Sequence, residues 1–81
     1  MENRKFQEAI GQRIKRIRLE KNMSQTLLAG KCGIEKANLS RIESGQANPT
    51  VLTLLKISIS LQVPVVEFFK HEIAEPVLQA E

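Results

Sequence analysis

The chain alternates apolar positions at helical spacing, with almost no period-two run, and this pattern predicts five helices and no strand. Phe6, Ile10, Ile14 and Ile17 recur at steps of four, four and three, so a first helix over about 5–21 buries one stripe. Asn22 is a left-handed stop for it. Ser24 caps a second helix that turns Leu28, Ala29 and Cys32 inward. Gly33 supplies a turn at positive φ, and Ile34 plugs the core between helices. A third helix spans about 36–44 and closes at Gly45. Glu35 stands where Ser or Thr would be the usual cap, its carboxylate favouring the positive helix end. Thr50 caps a fourth helix running to about Leu61. Pro64 can open a fifth that carries Val65, Val66, Phe68, Phe69 and Ile73. Glu75-Pro76 interrupts the pattern, and 76–81 reads as a frayed tail.

The fourth helix is apolar over an arc of about 220°, where a single core stripe needs only about 100°. Val51, Leu54, Ile57, Ser58 and Leu61 fill the core side, and Thr53, Lys56 and Ser60 share the polar side. Leu52, Leu55 and Ile59 form a second apolar line that so small a domain has too little mass to cover. With Val66 they are the expected self-association surface, unless 70–81 fold back over it.

On the third helix, Leu39 and Ile42 fall near 300° and 240° when Lys36 is set to zero at about 100° per residue. Ala37, Ser40, Arg41 and Ser44 fall on the opposite side, between about 40° and 140°, with Asn38 at the edge of the strip. Small residues let a helix backbone approach bases. An arginine such as Arg41 can fork onto guanine, and an asparagine such as Asn38 can pair with adenine. Around this strip stand groups suited to phosphates: Ser24 and Gln25 at the start of the second helix, then Ser44, Gln46 and Asn48. A plain solvated face is the competing reading, and the preceding short helix and glycine turn weigh against it.

Composition narrows the picture. The 81 residues make one domain, 42% of them apolar, which argues against general disorder. The net charge is +3, unevenly placed. Residues 1–45 hold ten Lys/Arg against five Asp/Glu, a balance of +5; residues 46–81 hold two against four, a balance of −2. A basic front suits a polyanion. One cysteine excludes an intrachain disulfide, nothing near it forms a zinc set, and no cofactor is implied. No apolar run approaches a membrane span, and no secretory leader follows Met1, so a cytoplasmic location is expected, with no membrane partner. No catalytic set or phosphate-cradling glycine loop is present, so an enzyme is not expected. Gly30, inside the second helix, suggests close packing against another helix.

Residues 11–69 resemble the Cro/C1-type (Xre-type) helix-turn-helix family of bacterial and phage regulators. The resemblance is carried by Ile14-Lys15-Arg16-Ile17-Arg18, Met23-Ser24-Gln25, Leu28-Ala29, Gly33-Ile34, Leu39-Ser40-Arg41-Ile42-Glu43-Ser44-Gly45, Asn48-Pro49-Thr50 and Phe68-Phe69. It implies an all-α, compact, five-helix, lambda-repressor-like domain over 1–81, with the motif at 25–44. It implies that Gln25 meets DNA backbone, that Lys36, Ala37, Asn38 and Arg41 face bases, and that Arg18 pairs with Glu43. The chain departs from the family pattern at Gly30 and at Cys32, which stands where Leu is usual. The expected function is sequence-specific transcriptional regulation by a homodimer on double-stranded, pseudo-palindromic DNA. With no second domain, no small-molecule effector is evident. The small size is similar to restriction–modification controller proteins; an antitoxin or adaptor that mainly binds a partner protein is the alternative.

Overall fold

The computed structural model describes residues 2–70, with side-chain surroundings from residue 4 onward. Four α-helices follow one another, α1 (Glu2–Glu20), α2 (Gln25–Cys32), α3 (Lys36–Glu43) and α4 (Val51–Leu61), and a short 3₁₀ segment (Val65–Phe69) closes the described part. No strand occurs among the described residues. Among the described residues, the fifth helix of the sequence reading is a 3₁₀ segment. A run of apolar residues does not distinguish five residues of 3₁₀ from the start of an α-helix. His71, Ile73, Glu75 and the expected tail lie outside the described residues.

The same device ends all four helices. A left-handed residue follows each one, and its own N–H and that of the next residue donate to carbonyls of the last turns. At α1 the left-handed residue is Asn22 (φ 57°), with Met23 N–H to Arg18 C=O at 3.1 Å. At α2 it is Gly33 (φ 72°), at α3 Gly45 (φ 80°), and at α4 Gln62 (φ 60°). The corresponding longer bonds run from Ile34 to Ala29, from Gln46 to Arg41 and from Val63 to Ser58, at 2.8–3.1 Å. At the starts, the Ser24 hydroxyl accepts from Leu27 N–H and the Thr50 hydroxyl from Thr53 N–H. Glu35 precedes α3 but makes no capping hydrogen bond.

The core joins Ile14 and Ile17 of α1, Leu28, Ala29 and Cys32 of α2, Leu39 and Ile42 of α3, Leu54, Ile57 and Leu61 of α4, and Phe68. Ile34 packs against it, half-buried. Two stripe members fall outside. Phe6 is 43% exposed and Val51 is 74% exposed. Each lies on the predicted face but towards the N-terminal end of its helix, Phe6 in the second turn of α1 and Val51 at the first residue of α4. The Cys32 thiol is buried, with the Lys56 carbonyl and the Ser60 hydroxyl both in reach of its single S–H.

Two further contacts fix α1. A Cβ at Gly11 would collide with the Ile42 carbonyl and come within 2.8 Å of the Glu43 carbonyl, so α1 and α3 touch backbone to backbone there. Gly30, by contrast, faces open space, so close packing does not account for it. Arg13 donates from Nε to the Glu67 carbonyl at 3.0 Å and from its terminal nitrogen to the Glu67 carboxylate at 3.3 Å, tying α1 to the 3₁₀ segment. Glu67 is held below the ordinary carboxylate pKa by the Lys70 hydrogen bond first, then by the Lys70 and Arg13 charges, against partial burial.

Candidate nucleic-acid interface

Helix α3 is amphipathic along its whole length, and the core decides its orientation. Leu39 and Ile42 are buried. That leaves Lys36, Ala37, Ser40, Arg41 and Ser44 exposed along the other side, with Asn38 half-buried at the margin. The outward strip is therefore a consequence of which two residues enter the core. The Ser44 hydroxyl donates to the Arg41 carbonyl at 3.2 Å within the last turn. Ser24, Gln46 and Asn48 are exposed around the strip, and Gln25 is half-buried.

Beneath α3 lies a buried polar network. Arg18 donates to the Glu43 carboxylate from Nε at 2.6 Å and from a terminal nitrogen at 3.0 Å, a forked geometry. The two side chains are 7% and 2% exposed. The remaining terminal nitrogen of Arg18 donates to the Met23 carbonyl at 2.7 Å. Gln25 completes the set: its amide Nε2 donates to Glu43 Oε1 at 2.9 Å. One carboxylate on α3 thus collects bonds from α1 and from the first residue of α2. A buried charge without such partners would be very costly, so the fork fixes the roll of α3 about its axis. The resemblance assigns Gln25 only to DNA backbone. Its place beside Glu43 follows from the α2 start lying over the α1–α3 seam, which spacing along the chain does not reveal.

The three residues proposed from the α4 pattern, together with Val66 of the 3₁₀ segment, behave alike. Leu52, Leu55, Ile59 and Val66 are all exposed, Ile59 to 73%. Phe69 and Val51 extend the same apolar character. Among the described residues nothing covers them, and the fold-back of 70–81 lies mostly outside that part. No metal-binding cluster of His, Cys, Asp or Glu exists among the described residues, and no described helix is long and apolar enough to cross a membrane.

Two short helices joined by a glycine turn, the second facing outward and braced from below, define a helix-turn-helix domain. The helix-turn-helix model HTH_3 matches residues 14–68, and the chain belongs to that family. It is 47% identical over 66 residues to the HTH-type transcriptional regulator SinR of Bacillus subtilis, over 78% of this chain and 60% of SinR. It superposes on the N-terminal DNA-binding domain of that SinR with a TM-score of 0.74 at 44% identity, covering 80% of this chain and 99% of the domain. The restriction–modification controller protein C.AhdI of Aeromonas hydrophila superposes with a TM-score of 0.75 at 31% identity, over 76% of this chain and 94% of the controller. The chain spans about 60% of the length of the curated SinR it matches.

Proposed function

We propose that this protein is a sequence-specific DNA-binding transcriptional regulator that places α3 in the major groove. One observation carries the reading: the exposed strip Lys36, Ala37, Ser40, Arg41 rests on a helix whose roll is fixed by the buried Arg18–Glu43–Gln25 network. Rigid presentation of a small-residue helix face, with one forked cation and one amide, is what base-edge readout requires. Arg41 is assigned to guanine and Asn38 to adenine, with Lys36, Ala37 and Ser40 at close approach. Ser24, Gln25, Ser44, Gln46 and Asn48 are assigned to phosphates, which set register without reading sequence. Gln25 can serve both ends, since an amide that gives one N–H to Glu43 has another to give.

The reading includes a homodimer closed through Leu52, Leu55, Ile59 and Val66. Their exposure supports it, as does the geometry of helix-turn-helix dimers, whose half-sites lie about one helical turn apart. The likeness to C.AhdI supports a controller of a restriction–modification pair as the subtype.

Selection of bound duplexes from a random pool tests the whole. The account expects an enriched inverted repeat with half-sites about one turn apart. Recovery of an unenriched pool at moderate salt would reject it. Light scattering of Ile59→Asp tests the dimer: the variant should run at half the mass of the wild type, and equal masses would remove this surface from the interface. A monomeric wild type that binds no duplex would favour the antitoxin or adaptor alternative.

A further inference from the structure

The surface beside α1 carries a groove of about 790 Å³ that meets the strip on α3 only at Ser44. Its walls include Gln12, Arg13, Lys15 and Arg16 of α1, Ser44 at the end of α3, and Lys70. Glu43 also reaches it, but that carboxylate is neutralised by the Arg18 fork. The Arg13 and Lys70 charges share the single carboxylate of Glu67, leaving a positive remainder. Arg16 meets Glu20 only at 3.9 Å, with both side chains about two-thirds exposed, a pair worth little in water. Lys15 is exposed and has no ion pair among the described residues. The groove is therefore a net-positive trough, with an amide donor in Gln12 and a hydroxyl in Ser44.

Ser44 belongs to both surfaces. It ends the outward strip of α3 and forms one edge of the groove, so the two are continuous. The distance between them is also suitable. From Ala37 to Ser44 the helix advances roughly 10 Å at about 1.5 Å per residue. The major groove is about 12 Å wide and about 8.5 Å deep, so a phosphate ridge lies roughly 10 Å from the centre of its floor.

Resting on the reading above, we propose that this α1 groove is a second phosphate-binding track, in which Lys15 and Arg16 hold the sugar–phosphate backbone that borders the major groove occupied by α3. The track extends the footprint beyond the helix-turn-helix itself and adds affinity without adding sequence preference, because phosphates carry no base identity. Its occupant is duplex backbone and not an acidic protein segment, given its continuity with the α3 strip.

The salt dependence of binding gives the test. Each phosphate contact contributes about −0.9 to the slope of log K against log salt. With the selected duplex as probe, Lys15→Gln should make the slope shallower by about one, and the Lys15→Gln/Arg16→Gln pair by about two. Between fourfold-different salt concentrations, the single variant then loses roughly three- to fourfold less affinity than the wild type does. A scrambled duplex should show the same reduction. Lys56→Gln, which removes an equal charge from α4 outside the groove, serves as the control and should leave the slope unchanged. Equal slopes for wild type and Lys15→Gln, or equal reductions in Lys15→Gln and Lys56→Gln, would overturn the proposal. The first result leaves the groove to a protein ligand; the second reduces it to overall charge. Wild-type binding that is itself absent or unselective would instead reject the parent reading, so the two failures are distinct. Both lysines are exposed, and unchanged melting curves exclude a folding effect.

Discussion

Arg18→Met removes one half of the buried pair and leaves the rest of the core intact. Glu43 then loses two charge-assisted bonds, at 2.6 and 3.0 Å, and keeps only the Gln25 amide at 2.9 Å. The Met23 carbonyl also loses its donor at 2.7 Å. Hydrogen bonds to charged groups contribute about 1.5–3 kcal/mol each, and they do not add independently here because they share one carboxylate. Breaking a buried pair from one side costs about 3–5 kcal/mol, since the survivor is left charged in a poor solvent. A domain of this size holds total stability near the low end of about 5–15 kcal/mol. Urea denaturation followed by circular dichroism reads the effect. With a slope of about 1 kcal/mol per molar for so small a protein, the midpoint should fall by roughly 3 M or more, leaving the variant largely unfolded near room temperature. The companion Arg18→Met/Glu43→Leu removes both charges and should recover most of that loss. Its DNA discrimination should nevertheless stay weak, because nothing then fixes the roll of α3. A single variant costing under about 1 kcal/mol would show that the pair behaves like a surface contact, and the bracing argument would fail.

Gly11→Ala forces a methyl group onto the backbone of α3 and should lower stability by about 1–3 kcal/mol despite the better helix propensity of alanine; an unchanged urea midpoint would refute the close approach. Gly30→Ala meets open space and should stabilise by up to about 1 kcal/mol, read as a higher melting temperature, with a lower one contradicting the reading. The depressed pKa of Glu67 stabilises the fold above the ordinary carboxylate range, and that contribution disappears as pH falls through the folded value. Stability of Glu67→Gln should therefore decline less steeply than wild type between neutral and acid pH, and parallel curves would remove Glu67 from the acid response.

Periodicity located what the core decides and missed what a neighbour decides. The buried sides of α2 and α3 were legible because Leu28, Leu39 and Ile42 sit at helical spacing and each has a partner helix overhead. Phe6 and Val51 have the same spacing and remain exposed, since a stripe states a direction and not the length of the element it meets. Asn22, Gly33 and Gly45 announce left-handed ends by residue type; Gln62 does the same job with a residue that gives no such signal. Gly11 looked like any residue of a long helix, because its constraint is a carbonyl on α3 more than thirty positions away. The outward strip was legible for a simple reason: an eight-residue helix with three buried positions, Leu39, Ile42 and Glu43, has little choice about what it shows to solvent.

The most direct measurement is the affinity of Arg41→Ala for the selected duplex and for a scrambled one at the same salt. Loss of a forked guanine contact worth about 1–3 kcal/mol should shrink the ratio of the two affinities roughly 5- to 150-fold, while affinity for the scrambled duplex changes far less. A ratio equal to that of the wild type would mean that α3 does not read bases through Arg41, and the account of the outward strip would be wrong.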